Sequence, residues 1–109
     1  MDEVNFIRQP IKFRKEYRRY MGQYVIKTLD YCVEKGLQLQ WEKDFAISVN
    51  TLENEVTIRA NKSGLISLAR HLLTLAQDSV PKHSHIHLDE YNSLEEGSAE
   101  LIIQKDTER

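Results

Sequence analysis

The period-two alternation of residues 83–89 limits the possible folds more than any other feature of the sequence. These residues read His-Ser-His-Ile-His-Leu-Asp, and alternation of this kind is typical of a β-strand buried on one face. In such a strand Ile86 and Leu88 would point to the core. The opposite face would carry the polar side chains of His83, His85, His87 and Asp89. An acidic segment follows directly, so this part of the chain is the first candidate for a functional site.

The length and composition predict a single domain over residues 1–109. The chain holds 40% hydrophobic and 29% charged residues, as is ordinary for a soluble globular protein with one modest core. No apolar stretch is long enough to span a membrane, and the acidic N-terminus lacks the apolar region of a secretory signal. The single cysteine, Cys32, allows no internal disulfide. We therefore expect a cytoplasmic protein without a membrane partner.

The net charge of −2 is unevenly distributed. Residues 1–36 carry a net charge of +3, and residues 37–109 carry −5. An acidic surface repels nucleic acid, because affinity for nucleic acid depends on neutralising its phosphates. The larger, acidic part of the chain is better suited to a basic protein partner.

The N-terminal part, residues 1–40, is predicted to be largely helical, with a helix over residues 11–35. Apolar and aromatic residues recur there at spacings of three and four, and Pro10 and Gly36 flank the pattern. Basic and aromatic residues interleave, which indicates either a nucleic-acid contact or an amphipathic helix with solvated cations. We favour the second interpretation and expect no nucleic-acid binding. Arg18 and Arg19 are kept as secondary candidates for contact with a protein partner.

Residues 45–105 predict two hairpins separated by a helix. Residues 45–49 and 56–60 alternate around a turn, and residues 85–89 and 99–105 form the second pair. Residues 37–41 are either a strand or an extended connector. The order is α-β-β-α-β-β, which predicts an α+β domain with one antiparallel or mixed sheet of about four strands and helices packed on one face.

The central helix is predicted to begin at a cap provided by Asn61 or Ser63 and to extend to about Asp78. His71 is expected at the boundary of its buried face. The apolar stripe of this helix consists of Leu65, Leu68, Ala69, Leu72, Leu75 and Ala76.

Metal binding is one interpretation of the histidine-bearing strand. His85 and His87 could reach one ion from the same strand face, and Asp89 could add a carboxylate. A metal site needs three or four ligands, and no further residue has motif spacing. We therefore expect no bound metal and no cofactor, and keep a metal-binding protein or metal-dependent enzyme as the alternative function.

No motif in the sequence predicts catalysis. A phosphate-binding glycine loop, a nucleophile elbow and a zinc-protease motif are all missing from the sequence. Glu95 and Glu96 are adjacent in a short loop, whereas paired catalytic carboxylates need a cleft and unequal pKa values. The chain is expected not to be an enzyme and to have no small-molecule substrate.

Binding to a protein partner is the remaining class of function. Residues 89–96 combine acidic and aromatic or apolar side chains, as an interface with anchors and a charged rim does. A solvated hairpin loop would show the same composition. The predicted partner-binding residues are Asp89, Glu90, Tyr91, Leu94, Glu95 and Glu96, with His85 and His87 on the strand that precedes them.

Residues 45–105 resemble a family of small bacterial immunity proteins. The blocks His-Ile-His-Leu-Asp (85–89) and Leu-Glu-Glu-Gly-Ser (94–98) carry most of the resemblance, together with the helix that starts at Asn-Lys-Ser-Gly-Leu (61–65). Such proteins are encoded beside polymorphic toxins and contact-dependent growth inhibition systems. The resemblance implies an α+β domain that binds a cognate toxin, such as a nuclease, and blocks it by covering its active site or an adjacent surface.

Overall fold

The computed structural model describes residues 22–107. Its helix and strands, in chain order, are β1 (Ile47–Leu52), β2 (Glu55–Ala60), α1 (Lys62–Leu75), β3 (His85–Leu88) and β4 (Leu101–Gln104). β1 pairs antiparallel with β2, and β3 pairs antiparallel with β4. The predicted α+β class and both predicted hairpins are therefore confirmed.

The expectation of one four-stranded sheet is wrong, because the strands form two separate two-stranded sheets. The edge of β1 that faces away from β2 meets an irregular segment instead of a strand. There the carbonyl oxygens of Ile47 and Val49 accept hydrogen bonds from the N–H groups of Glu95 and Ala99, each at 2.8 Å. This segment satisfies backbone groups that a third strand would otherwise have paired.

One hydrophobic cluster joins both sheets and the helix. Its members are Ile47, Val49, Leu68, Leu75, Val80, Ile86, Leu88 and Leu94. Residues 37–41 form an extended connector, not a strand, and Leu37, Leu39 and Trp41 pack against the cluster. Trp41 also stacks on Phe45 with 4.4 Å between the ring centroids.

The predicted helix over residues 11–35 is wrong for its described part, since residues 22–35 are not helical. Side chains of α1 and of the segment after it bind the backbone there. Arg70 Nε donates to the Lys27 carbonyl (3.1 Å) and Gln77 Nε2 to the Leu29 carbonyl (3.0 Å). These bonds fix the backbone at Lys27 and Leu29 against α1 and the segment that follows it. Residues 11–21, which include Arg18 and Arg19, lie outside the described residues.

Gly36 adopts the left-handed conformation expected of it, with φ of +69°. It closes a tight turn instead of a helix, because its N–H donates to the carbonyl of Cys32 at 2.7 Å. Tyr24 and Val25, which the helical pattern assigned to a buried stripe, are 75% and 85% exposed. The spacing of apolar residues in this part of the chain therefore does not reflect a buried helical face.

The buried face of α1 differs from the predicted apolar stripe. It consists of Gly64, Ser67, Leu68, His71, Thr74 and Leu75, whereas Leu65 and Leu72 are 56% and 48% exposed. The buried hydroxyls are satisfied within the helix, because Ser67 Oγ donates to the Ser63 carbonyl and Thr74 Oγ1 to the Arg70 carbonyl, both at 2.8 Å. Small satisfied polar residues can therefore occupy the core side of the helix.

His71 is 1% exposed, not at a boundary as predicted. Its Nε2 lies 3.2 Å from the carbonyl oxygen of Gln40, and its ring meets Trp41 edge-on at 4.2 Å. A carbonyl only accepts, so Nε2 carries the proton. Burial lowers the pKa of His71; the bond to Gln40 opposes this and the charge of Arg70 adds to it. Nδ1 is buried without a hydrogen-bond partner among the described residues, so a second proton on the ring would have no acceptor there.

The helix ends at Leu75, before the predicted end near Asp78. Lys105, which follows β4, donates from Nζ to the carbonyl oxygens of Gln77 (2.6 Å) and Val80 (3.0 Å). Because this ammonium group binds carbonyls after the helix, the chain can turn there with its polar groups satisfied.

Of the two predicted caps, Asn61 and Ser63, Asn61 is the helix cap, and it also connects the helix to the start of β1. Its Oδ1 accepts hydrogen bonds from the N–H groups of Gly64 (2.8 Å) and Ala46 (3.0 Å). Its Nδ2 donates to the carbonyl of Asp44 at 2.9 Å.

We expect Asn61→Ala to lower the free energy of unfolding by about 2 kcal/mol, of which a lost cap accounts for roughly half. Asn61→Asp is a partial control, because it keeps the Oδ1 acceptor of the cap but replaces the donation to Asp44 by repulsion between two oxygens; its stability should lie between those of the parent and Asn61→Ala. Urea denaturation of the three proteins checks this. Equal stability of Asn61→Ala and the parent chain would contradict it.

Candidate partner-binding surface

Strand β3 has one core face and one solvent face, as the alternation predicts. Ile86 and Leu88 are each 2% exposed, and His85 and His87 project from the exposed face. The core side chains fix the orientation of the strand and therefore the direction of both imidazoles. His83 lies before the strand, with its Nδ1 at 3.3 Å from Nε2 of Gln104.

His87 lies between two carboxylates on this face. Its Nε2 is 3.8 Å from Asp89 Oδ2 and 3.5 Å from Glu100 Oε2. All three side chains are at least partly exposed, so water screens the electrostatic interaction between them. Within residues 22–107 no group of three or more histidine, cysteine, aspartate and glutamate side chains is arranged to hold a metal ion.

The acidic loop, residues 89–96, begins with a compact hydrogen-bonded turn. Asp89 Oδ1 accepts from the N–H groups of Tyr91 and Asn92, each at 3.0 Å. Its carbonyl oxygen accepts from Ser93 N–H at 3.0 Å and from Leu94 N–H at 2.8 Å. The Asn92 side chain donates back to the carbonyl of His87 and accepts from Asp89 N–H. Aspartate and asparagine form such turns because their short polar side chains reach nearby backbone groups.

The loop is fixed to the domain at its far end. Leu94 is 5% exposed and belongs to the hydrophobic core. The next residue, Glu95, donates its N–H to Ile47 of β1. The structure therefore corrects one predicted contact residue, because Leu94 points into the core and anchors the loop from inside. Sequence alone could not separate an apolar anchor that faces a partner from one that faces the core.

The carboxylates of the loop remain on the surface. Glu90, Glu95 and Glu96 are exposed, and Tyr91 is 90% exposed. Glu90 Oε2 accepts from the N–H of Gly97 at 2.9 Å, which holds this side chain across the loop. Among the described residues, none of these three glutamates forms an ion pair with a cation. The structure brings together Asp89, Glu90, Tyr91, Glu95 and Glu96 on one loop, which hydrogen bonds and the buried Leu94 hold in place (the braced turn). His85 and His87 lie on the strand that precedes it.

Sequence reasoning did not find a groove beside Glu95. It has a volume of about 280 Å³, is open to solvent, and is lined by Glu95, by Arg59 of β2 and by Ser48 of β1, among others. Ser48 and Arg59 are cross-strand partners, so their side chains share one face of the first hairpin. The pairing of strands brings Arg59 close to a loop that is 36 residues later in the chain, and no local pattern predicts this.

Residues 22–107 contain no helix that is both long enough and apolar enough to cross a membrane.

Comparison with known families supplies the remaining observation. Residues 55–106, just under half of the chain, match the family model of immunity protein 32. This range contains β2, α1, β3, the whole acidic loop and β4; β1 and the extended N-terminal segment lie outside it. No curated protein and no solved structure gives a significant match. The predicted resemblance to a family of small immunity proteins is therefore confirmed over residues 55–106.

Proposed function

We propose that this chain neutralises a cognate bacterial toxin domain by binding it through the acidic loop and covering its active site or an adjacent surface. The match over residues 55–106 supports an immunity function and a binding role instead of catalysis. The observation that carries the choice of surface is the braced turn, which presents Glu90, Glu95 and Glu96 without cationic partners among the described residues.

The construction of the loop favours rapid and selective binding. Its backbone is already fixed by Asp89, Asn92 and the buried Leu94, so little conformational entropy is lost on association. Clustered carboxylates repel one another, and a basic partner relieves that repulsion and is attracted from a distance. Tyr91, exposed at the tip, is a residue type that often forms the energetic centre of an interface.

The chemistry of the surface indicates the class of toxin. A negatively charged loop fits a basic cleft, and nucleases have such clefts because they bind phosphates. We infer a toxin of a polymorphic or contact-dependent inhibition system, met in the cytoplasm of the protected cell. Asp89, His85 and His87 form the base of the proposed contact surface.

The test is charge reversal in the loop. Glu95→Lys combined with Glu96→Lys should slow association with the toxin roughly tenfold or more, because reversing rim charges acts mainly on the association rate. Co-expression with the toxin encoded beside this gene gives a survival measurement, and surface plasmon resonance gives the rates. The thermal melting curve should not change, because both side chains are exposed.

The matched control is Asp30→Lys combined with Asp78→Lys. It makes the same change of net charge at exposed positions on other segments, and it should leave protection and association nearly unchanged. If the loop variant melts normally and still protects cells fully, the acidic loop is not the contact surface. If both variants lose protection equally, net charge and not this surface governs binding.

A further inference from the structure

Strand β2 has a free edge with a defined set of outward-facing backbone groups. Asn61 N–H donates to the carbonyl of Ala46, and hydrogen-bonded pairs alternate along an antiparallel ladder. Glu55, Thr57 and Arg59 therefore direct their backbone groups to β1, and Val56 and Ile58 direct theirs away from it. β1 agrees with this assignment, because Ile47 and Val49 bond outward on its opposite edge.

The outward groups of Val56 and Ile58 form no hydrogen bond with any other described residue. Their side chains are also 62% and 43% exposed. Natural edge strands are commonly protected by charged side chains, proline, a bulge or a covering segment. β2 has charged side chains at Glu55 and Arg59, on the opposite face from Val56 and Ile58, and residues 55–60 contain no proline and no bulge. An exposed apolar edge of this kind is a template for a further strand.

The sequence of β2 is chemically self-complementary. It reads Glu-Val-Thr-Ile-Arg over residues 55–59, with Thr57 at the centre. A second copy placed antiparallel across a two-fold axis at Thr57 sets Val56 opposite Ile58 of the second copy, and these are the residues whose backbone groups point outward. The same register sets Glu55 opposite Arg59 of the second copy, and Thr57 opposite its own counterpart.

We propose that β2 pairs with β2 of a second copy of this chain, joining the first hairpins of two molecules into a four-stranded antiparallel sheet. Opposite-charge, β-branched and threonine pairs are all favourable cross-strand neighbours. The two-fold symmetry forms the Glu55–Arg59 pair and the Val56–Ile58 pair twice each. In this one register the residues with outward-facing backbone groups lie opposite each other, and the side chains also form favourable pairs. This agreement argues for a second copy of the chain over an unrelated strand. An interface of one short strand per molecule is small, so the dimer forms reversibly and in a concentration-dependent way.

The test uses exchange of the two charges. Sedimentation velocity of the full chain over a range of concentrations should show reversible dimers. Glu55→Arg places two arginine pairs across the axis, and Arg59→Glu places two glutamate pairs there, so each variant alone should dimerise about tenfold more weakly. An equimolar mixture of the two variants should regain the dimer, because every cross-axis pair then has opposite charges.

The double variant Glu55→Arg with Arg59→Glu should also dimerise like the parent chain. All these positions are exposed, and thermal melting verifies that each variant is folded. A parent chain that stays monomeric at its highest usable concentration overturns the proposal, as does a mixture that associates no better than the single variants. Pairing of β2 with the toxin domain in place of a second copy would also overturn the dimer proposal. The proposed function has its own test, the cell protection by the acidic-loop variant, so the two proposals can fail separately.

Discussion

Replacing Gly64 with alanine is expected to destabilise the protein by about 2–3 kcal/mol, although the same change in an exposed helix would stabilise it by about 1 kcal/mol. A Cβ at this position would lie 2.6 Å from the carbonyl oxygen of Ala46 and 2.8 Å from Cγ1 of Ile47. It would also lie 3.1 Å from Cβ of Ala60. The first contact is with backbone, which cannot rotate away as a flexible side chain can.

The added methyl group at position 64 would clash where the helix packs against the first hairpin. Relief requires that α1 move away from β1 and β2, which opens the core around Ile47, and tightly packed cores tolerate added atoms poorly. Urea denaturation measures the effect, with Lys62→Ala as a control at an exposed position of the same helix, where a change within about 0.5 kcal/mol is expected. A Gly64→Ala protein as stable as the parent would show that the helix and hairpin are not in close contact.

Acidification is expected to lower the free energy of unfolding, with His71 as an identified contributor. Burial lowers the pKa of His71 in the folded protein below the value of 6.5 that it has in the unfolded chain. Well above pH 6.5 the imidazole is neutral in both the folded and the unfolded state, so His71 does not lower the free energy of unfolding there. Below that pH the unfolded chain binds a proton that the folded protein excludes, so stability falls by up to about 1.4 kcal/mol per pH unit until the folded pKa is reached.

His71→Leu removes the titrating group and keeps an apolar side chain of similar reach. The Gln40 carbonyl keeps a partner in this variant, because Arg70 Nη1 also approaches it at 3.4 Å. Denaturation curves at several pH values should show a smaller acid dependence for His71→Leu than for the parent chain. Leu72→Gln, at an exposed position of the same helix, should keep the parent's acid dependence, because it changes no titrating group. Parallel curves for the parent and His71→Leu would show that the protonation of His71 is not coupled to folding.

Local patterns in the sequence determined the parts of this protein that depend on short-range physics. The alternation at Ile86 and Leu88 predicts the two faces of β3, since successive side chains in a strand point in opposite directions. Asn61 predicts the start of the helix because its side chain reaches the third backbone N–H after it. The glutamates of the loop are exposed because charged groups are rarely buried without partners.

Tertiary contacts decided what those patterns leave open. Residues 22–35 have helical spacing, yet they are not helical, and Arg70 and Gln77 bind the carbonyls of Lys27 and Leu29 there. Gly64 and Ser67 are buried in α1, so Leu65 and Leu72 of the predicted apolar stripe lie on the surface while Leu68 and Leu75 stay in the core. Leu94 is an inward anchor because the loop end is bonded to β1, and Arg59 and Glu95 line the same groove only because the strands pair. In each case partners distant in the sequence determine which of two locally possible arrangements has the lower free energy.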